Sequence, residues 1–324
     1  MEKKIKILLI TLIIGVLIGV IKLIAYLLSG SVFILSDALE SGVNIFAGAV
    51  ALISVYLASK PKDADHPYGH GKVEFLSSGL EGTLISLAGG MIIVKAIYSL
   101  FYPPELSNID WGIYLTGFGG IANLIMGLYL QKTGKSMNSI AIYANGKHLL
   151  SDAYSSAAMI AGLVVIYFTD LQWLDAVFAI IFGCIILYAG VKVIRKSIAG
   201  IMDEADEELI SETVKLVNKE RRDSWVDLHN FRIIKYGANL HVDCHLTLPW
   251  YYSLKETHDE VEAFEEKIRT KLNREVEIFA HADPCTPDSC KICQLKNCPE
   301  RQHEFEKRVE WDLDSVVKNT KHTL

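Results

Sequence analysis

The chain has 324 residues, 51% of them apolar, and a formal net charge of −6. That length suits a membrane domain plus one soluble domain, and the acidic balance excludes a nucleic-acid partner. The apolar residues are unevenly placed: residues 1 to about 200 hold nearly all the long apolar runs, and the remainder is charged.

Six runs, roughly 5–28, 31–58, 73–101, 111–132, 139–168 and 174–195, are long enough to cross a bilayer. A helical crossing needs about 20 residues. The first run follows lysines, but it is too long for a signal core and lacks a small-residue cleavage site, so it is expected to stay as a membrane helix. Lys3, Lys4 and Lys6 precede it; Lys60, Lys62 and Lys72, then Lys132 and Lys135, then Lys192, Arg195 and Lys196 fall at alternate connections. The other connections lack Lys and Arg and carry Glu105, Asp110, Asp170 and Asp175. The positive-inside rule then puts both termini in the cytoplasm, with a bacterial inner (plasma) membrane as the expected location. Lys22 and Lys95, near the outer ends of their runs, are expected to snorkel. Glu74 and Glu81 share a helix face. Glu74 is near the cytoplasmic end and reads as structural, and Glu81 is deeper and a candidate for a proton or ion role.

Past residue 204 the pattern is that of a soluble domain. An amphipathic helix at 205–221 precedes strands at 227–234 and 239–248, a charged helix at about 253–272 and a strand at 275–281. In the second strand Leu240, Val242, Cys244 and Leu246 alternate with His241, Asp243 and His245, the period of a strand with one buried face. The order αββαβ predicts a small open-faced α+β sandwich. The expected division is 1–203, 204–283 and a tail at 284–324 made of a cysteine loop and a charged helix.

Four groups of residues carry chemistry. Asp37 and Ser41 repeat at four residues in one apolar run, and His148 and Asp152 in another. Each pair shares a helix face, and ionisable groups at bilayer depth need partners, water or an ion. Imidazole with carboxylates suits zinc, and also manganese, iron or cobalt. A neutral hydroxyl is a poor zinc ligand, so Glu40 or Asn44 is an alternative to Ser41. In the loop after the second run, Asp63, His66 and His70 can converge on one ion. The soluble domain spreads His229, His245, His258, His281 and Asp283 over its elements, and His281 and Asp283 share one strand face. Finally, Cys285, Cys290, Cys293 and Cys298 form Cys-x4-Cys-x2-Cys-x4-Cys, the arithmetic of a structural zinc site, with His303 as a substitute ligand. On the cytoplasmic side disulfides are rare, which favours thiolate–metal binding.

With these residues assembled, residues 5 to about 285 resemble the cation diffusion facilitators, proton-coupled divalent-metal efflux transporters. The motifs are Ser36-Asp37-Ala-Leu-Glu40-Ser41, Asp63-x-x-His66-x-x-x-His70-Gly-Lys72, His148-x-x-x-Asp152, Gly-Ile-Met-Asp203-Glu and His281-Ala-Asp283-Pro. The resemblance implies six membrane helices, a metallochaperone-like cytoplasmic domain and a homodimer. It implies a transport site at Asp37, Ser41, His148 and Asp152, a loop site at Asp63, His66 and His70, and a binuclear cytoplasmic site at His229, His245, His258, His281 and Asp283. It also implies that Lys72 and Asp203 form a charge pair locking two helix ends across the dimer. The chain departs from the family's zinc transporters at Ser41, where they have Asp or His, and its cysteine tail lies outside the family pattern.

The expected activity is efflux of a divalent metal, zinc first and iron, manganese or cobalt as alternatives, in exchange for protons. Metal ligands must be deprotonated, so metal and protons compete, and His148 has the natural exchanging group near neutral pH. A membrane-anchored metal sensor or buffer is the alternative, and ligands within the spans argue against it. A membrane metalloprotease is disfavoured because no His-Glu-x-x-His motif is present.

Overall fold

A computed structural model describes residues 2–102, 108–136, 140–237, 239–272 and 276–324. Glu105, one of the acidic connection residues, lies outside them. The chain divides into two compact units, Met1–Ser54 with Leu76–Ile198, and Val55–Phe75 with Ala199–Leu324.

The first unit is built from six helices: α1 (Glu2–Ser29), α2 (Val32–Ala58), α3 (Val73–Phe101), α4 (Ile109–Ser136), α5 (Ile140–Thr169) and α6 (Trp173–Ile201). All six are long and apolar enough to cross a membrane, with mean hydropathy between 1.5 and 2.5 over their spans. Large apolar side chains such as Val94, Phe168 and Tyr188 stand exposed on them, the surface that a lipid environment requires. Small residues let α4 and α5 touch backbone to backbone. A Cβ on Gly146 would lie 2.6 Å from the Gln131 amide nitrogen, and one on Gly134 would lie 2.5 Å from that of Tyr143. Lipid tails are as apolar as the side chains, so such close packing supplies the association energy between membrane helices. Asp175 of α6 is buried at the start of α2, where it accepts the Val32 amide at 2.7 Å and the Ser31 hydroxyl. It thereby satisfies an orphan donor of the helix N-terminus.

The second unit holds α7 (Glu207–Lys219), β1 (Asp227–Tyr236), β2 (Asn239–Leu248), α8 (Leu254–Leu272), β3 (Val276–Pro284) and a one-turn α9 (Leu313–Val316). The αββαβ order is the one read from the sequence. The sheet order is β1-β2-β3, with β1 antiparallel to β2 and β2 parallel to β3. Trp225, Phe231, Val242, Leu246 and Phe264 form its core beneath the two helices. Trp225 and Phe264 meet edge to face at 5.4 Å.

The last forty residues differ from the charged helix expected there: the only α-helical turn among them is α9. Trp311 and Val316 are buried in the same core as Trp225. Arg221 explains the extended path. Its guanidinium donates to Trp225 O at 2.9 Å and Val309 O at 2.7 Å, and it stacks 3.9 Å from the Trp311 ring. These tertiary contacts override local helix propensity. At the β1 bulge, Asn230 adopts φ 51°, and its amide donates to Lys318 O at 2.7 Å. The terminal segment is thus a strap tied to the first strand.

Candidate metal centres

In the membrane unit, Asp37 and Ser41 lie one turn apart on α2, and His148 and Asp152 one turn apart on α5. Asp37 is 2% exposed. Its Oδ1 accepts from Lys22 Nζ of α1 at 2.7 Å, and its Oδ2 is buried without a hydrogen-bond partner. This corrects the expectation that Lys22 snorkels, because its side chain is only 1% exposed. Pairing inside the helix bundle offsets the cost of burying both charges, whereas reaching outward would leave Asp37 uncompensated. Glu40 Oε2 is also buried without a partner. Asn44 Nδ2 of α2 reaches Asp152 Oδ2 of α5 at 3.5 Å. His148 is half exposed, with Nε2 3.8 Å from Asp152 Oδ2. Ser41 is half-buried one turn beyond Asp37. The two helices therefore gather three carboxylates and an amide, but Asp37, His148 and Asp152 do not converge within 4.8 Å of one another.

In the second unit, the loop residues Asp63, His66 and His70 do converge, with ligand atoms all within 4.8 Å. Asp63 Oδ1 accepts the His66 amide at 2.7 Å and lies 3.1 Å from His66 Nδ1, while Oδ2 is 3.3 Å from His70 Nε2. The His66 amide bond, chiefly, holds the Asp63 carboxyl below its usual range. The loop is fastened to the sheet edge. Tyr68 stacks on Tyr236 at 5.8 Å and meets His241 edge-on at 5.3 Å. Lys72 donates to Asp203 at 2.9 Å and lies 4.8 Å from the Tyr236 ring. The Lys72–Asp203 pair forms within one chain. His241, on the strand face read as polar, is buried under these rings, and burial lowers its pKa.

The sheet register assembles a third group. His229 of β1 is opposite His245 of β2, which is opposite His281 of β3. Asp283 Oδ2 lies 3.3 Å from both His229 Nε2 and His245 Nδ1, and Oδ1 lies 2.8 Å from His281 Nδ1. His229, His245 and Asp283 place their ligand atoms within 4.8 Å. His281 is 69% exposed at the rim. His258 is exposed on α8 and is not in this group.

Three residues that the sequence reading passed over, Asp227, Lys321 and His322, border this group. Asp227 is 1% exposed and lies 3.3 Å from His229 Nδ1, on the side of the ring away from Asp283. The strap brings His322, whose amide donates to Asp227 Oδ2 at 3.0 Å and whose Nδ1 contacts Oδ1. It also brings Lys321 Nζ to 3.8 Å from Asp283 Oδ2. The spacing Asp227-x-His229 puts both on one strand face, the same signal as His281-x-Asp283; nothing in the sequence marks His322.

The four tail cysteines are free thiols lining one pocket beside Trp250 and Ser289. Arg301 organises the loop, donating to the backbone oxygens of Cys290 at 3.0 Å, Cys293 at 3.1 Å and Leu295 at 2.7 Å. Burial raises the Cys285 and Cys293 thiols above their ordinary pKa. No three of the sulfurs draw within 4.8 Å of one another.

Two family models match this chain: a cation efflux transmembrane domain over residues 8–202, and a cation efflux protein cytoplasmic domain over residues 205–285. The chain therefore belongs to the cation efflux family, the cation diffusion facilitators, whose members are integral membrane exporters of metal cations. Among its relatives, an uncharacterized transporter of Synechocystis is 32% identical over 82% of this chain and 85% of its own length. The cation-efflux pump FieF of Shewanella oneidensis is 26% identical over 82% of this chain and 88% of its own. The manganese efflux system protein MneP of Bacillus subtilis is 25% identical over 86% and 95%.

Proposed function

We propose that this transporter is a homodimeric antiporter that moves a divalent transition metal, zinc foremost, out of the cytoplasm in exchange for protons. The observation that carries the reading is the pair of buried carboxylate oxygens without a hydrogen-bond partner, Asp37 Oδ2 and Glu40 Oε2, one turn apart on the membrane-spanning helix α2. A carboxylate oxygen at membrane depth without a partner is costly, and a metal ion or a proton offsets that cost. Asp37, Ser41, His148 and Asp152 are the transport ligands, with Glu40 and Asn44 beside them. The charged connections put both termini in the cytoplasm of a plasma membrane.

On this reading, metal enters from the cytoplasm and displaces protons from the site; protons from the far side then release it. Asp63, His66 and His70 form a capture site at the cytoplasmic surface. His229, His245, His258, His281 and Asp283 hold ions where two cytoplasmic domains meet. Cys285, Cys290, Cys293 and Cys298 draw together on a structural zinc outside the transport path. The neutral Ser41 leaves iron, manganese and cobalt as alternative cargo, a point supported by the manganese efflux system protein MneP among its relatives. The test is uptake of each metal into proteoliposomes under an imposed pH gradient. Gradient-dependent uptake, strongest for zinc, is expected; uptake indifferent to the gradient contradicts proton exchange.

A further inference from the structure

Lys22 is a cation buried beside the transport site, and the motifs of the site do not include it. It sits on α1, fifteen residues from Asp37, with its ammonium 2.7 Å from Asp37 Oδ1 and both side chains almost wholly buried. Its stem packs against α4, where a Cβ added at Gly119 would meet Lys22 Cε at 3.4 Å, ordinary contact distance. The side chain thus rests on α4 with its ammonium aimed at one oxygen of one ligand. The other oxygen, Asp37 Oδ2, has no partner.

We propose that Lys22 is a built-in counter-cation that keeps metal binding at this site weak enough for release. It neutralises one oxygen of Asp37, so the carboxylate offers an ion a single oxygen. Its positive charge also opposes the arriving divalent cation at short range and low dielectric. A transport site must hold its ion firmly enough to load and loosely enough to unload. Lys22 moves that balance toward unloading. It is a positioning and affinity-setting residue, and it is not itself a ligand.

The proposal rests on Asp37 and Asp152 being transport ligands, so the experiment carries a separate arm for that reading. Purified full-length protein is reconstituted in proteoliposomes and zinc uptake is followed as KM and kcat. Lys22→Met should lower KM for zinc about tenfold, because a full charge at contact distance is removed, and kcat should fall as release slows. Lys22→Arg keeps the ion pair and should hold both constants within about threefold of wild type. Should Lys22→Met not fold, Lys22→Gln, which keeps an N–H donor without the charge, carries the same expectation. A purely structural lysine would reduce the folded amount and leave KM unmoved, so an unchanged or raised KM in folded Lys22→Met or Lys22→Gln overturns the proposal. In the parallel arm, Asp152→Asn should abolish uptake. Full activity there overturns the site assignment itself, whatever the Lys22 variants do.

Discussion

Asp227 lies behind His229, 3.3 Å from its Nδ1, while His229 Nε2 faces Asp283 on the other side at the same distance. A carboxylate behind a metal-binding imidazole fixes its tautomer and orientation and raises its basicity. Burial alone would raise the Asp227 carboxyl, but the His229 and His322 contacts hold it well below the usual carboxylate range. It is thus charged at every physiological pH. Asp227→Ala should weaken zinc binding at the cytoplasmic centre by about 10- to 100-fold. Equilibrium dialysis of the full-length protein, with the loop ligands replaced by alanine, reads this affinity. Unchanged binding would mean that His229 is oriented by other contacts.

Gly71 lies against the turn between β1 and β2, where an added Cβ would be 2.2 Å from Tyr236 O. Gly71→Ala must therefore push the loop carrying Asp63, His66 and His70 off the sheet edge, breaking the Tyr68–Tyr236 stack. The expected outcome is faster proteolysis within residues 60–72 and uptake reduced severalfold. Wild-type protease resistance would show that the loop is held independently of the sheet.

The αββαβ order and the six spans were legible in the sequence because each depends on local spacing; of the four residue groups named there, the structure brings together Asp63, His66 and His70, and His229, His245 and Asp283. Period two in β2 put Leu240 and Val242 inward, and they are buried. The burial of His241 was not legible, since it depends on Tyr68, which arrives from a loop far away in sequence. Lys22 was misread for the same reason: its place near a span end suggests the interface, and only the packing of α1 reveals Asp37 as its partner. The strap was missed because Arg221, not local propensity, sets its path.

Asp206 tests the stability of the second unit. It caps α7 by accepting the Leu209 amide at 3.0 Å and also pairs with Lys235. The Lys235 bond, then the Leu209 bond, hold its carboxyl below the usual value. A depressed folded pKa means this contribution is complete above the unfolded value of about 3.9 and is lost as pH falls through the folded one. Asp206→Ala should cost about 1 kcal/mol near neutral pH, and the difference from wild type should shrink in acid below about pH 4. Thermal unfolding of the purified protein at both pH values checks this.

Cys290 and Cys293 are buried in the pocket shared by the four thiols, held by the Arg301 bonds to their backbone oxygens. Replacing both by serine should remove about one zinc per chain and leave transport in place, since a closed four-thiolate site is structural. Metal analysis under reducing conditions decides it. Equal zinc in wild type and variant, or a disulfide between these cysteines, contradicts the assignment.

The central proposal is that carboxylates of α2 and α5 exchange metal for protons. Its most direct test records zinc entry and lumenal pH together in proteoliposomes, for wild type and Asp152→Ala. Zinc entry in the wild type should be matched in time by proton efflux, and both should vanish in Asp152→Ala while the protein remains folded and inserted. Zinc entry without proton movement, or wild-type flux through Asp152→Ala, would contradict it.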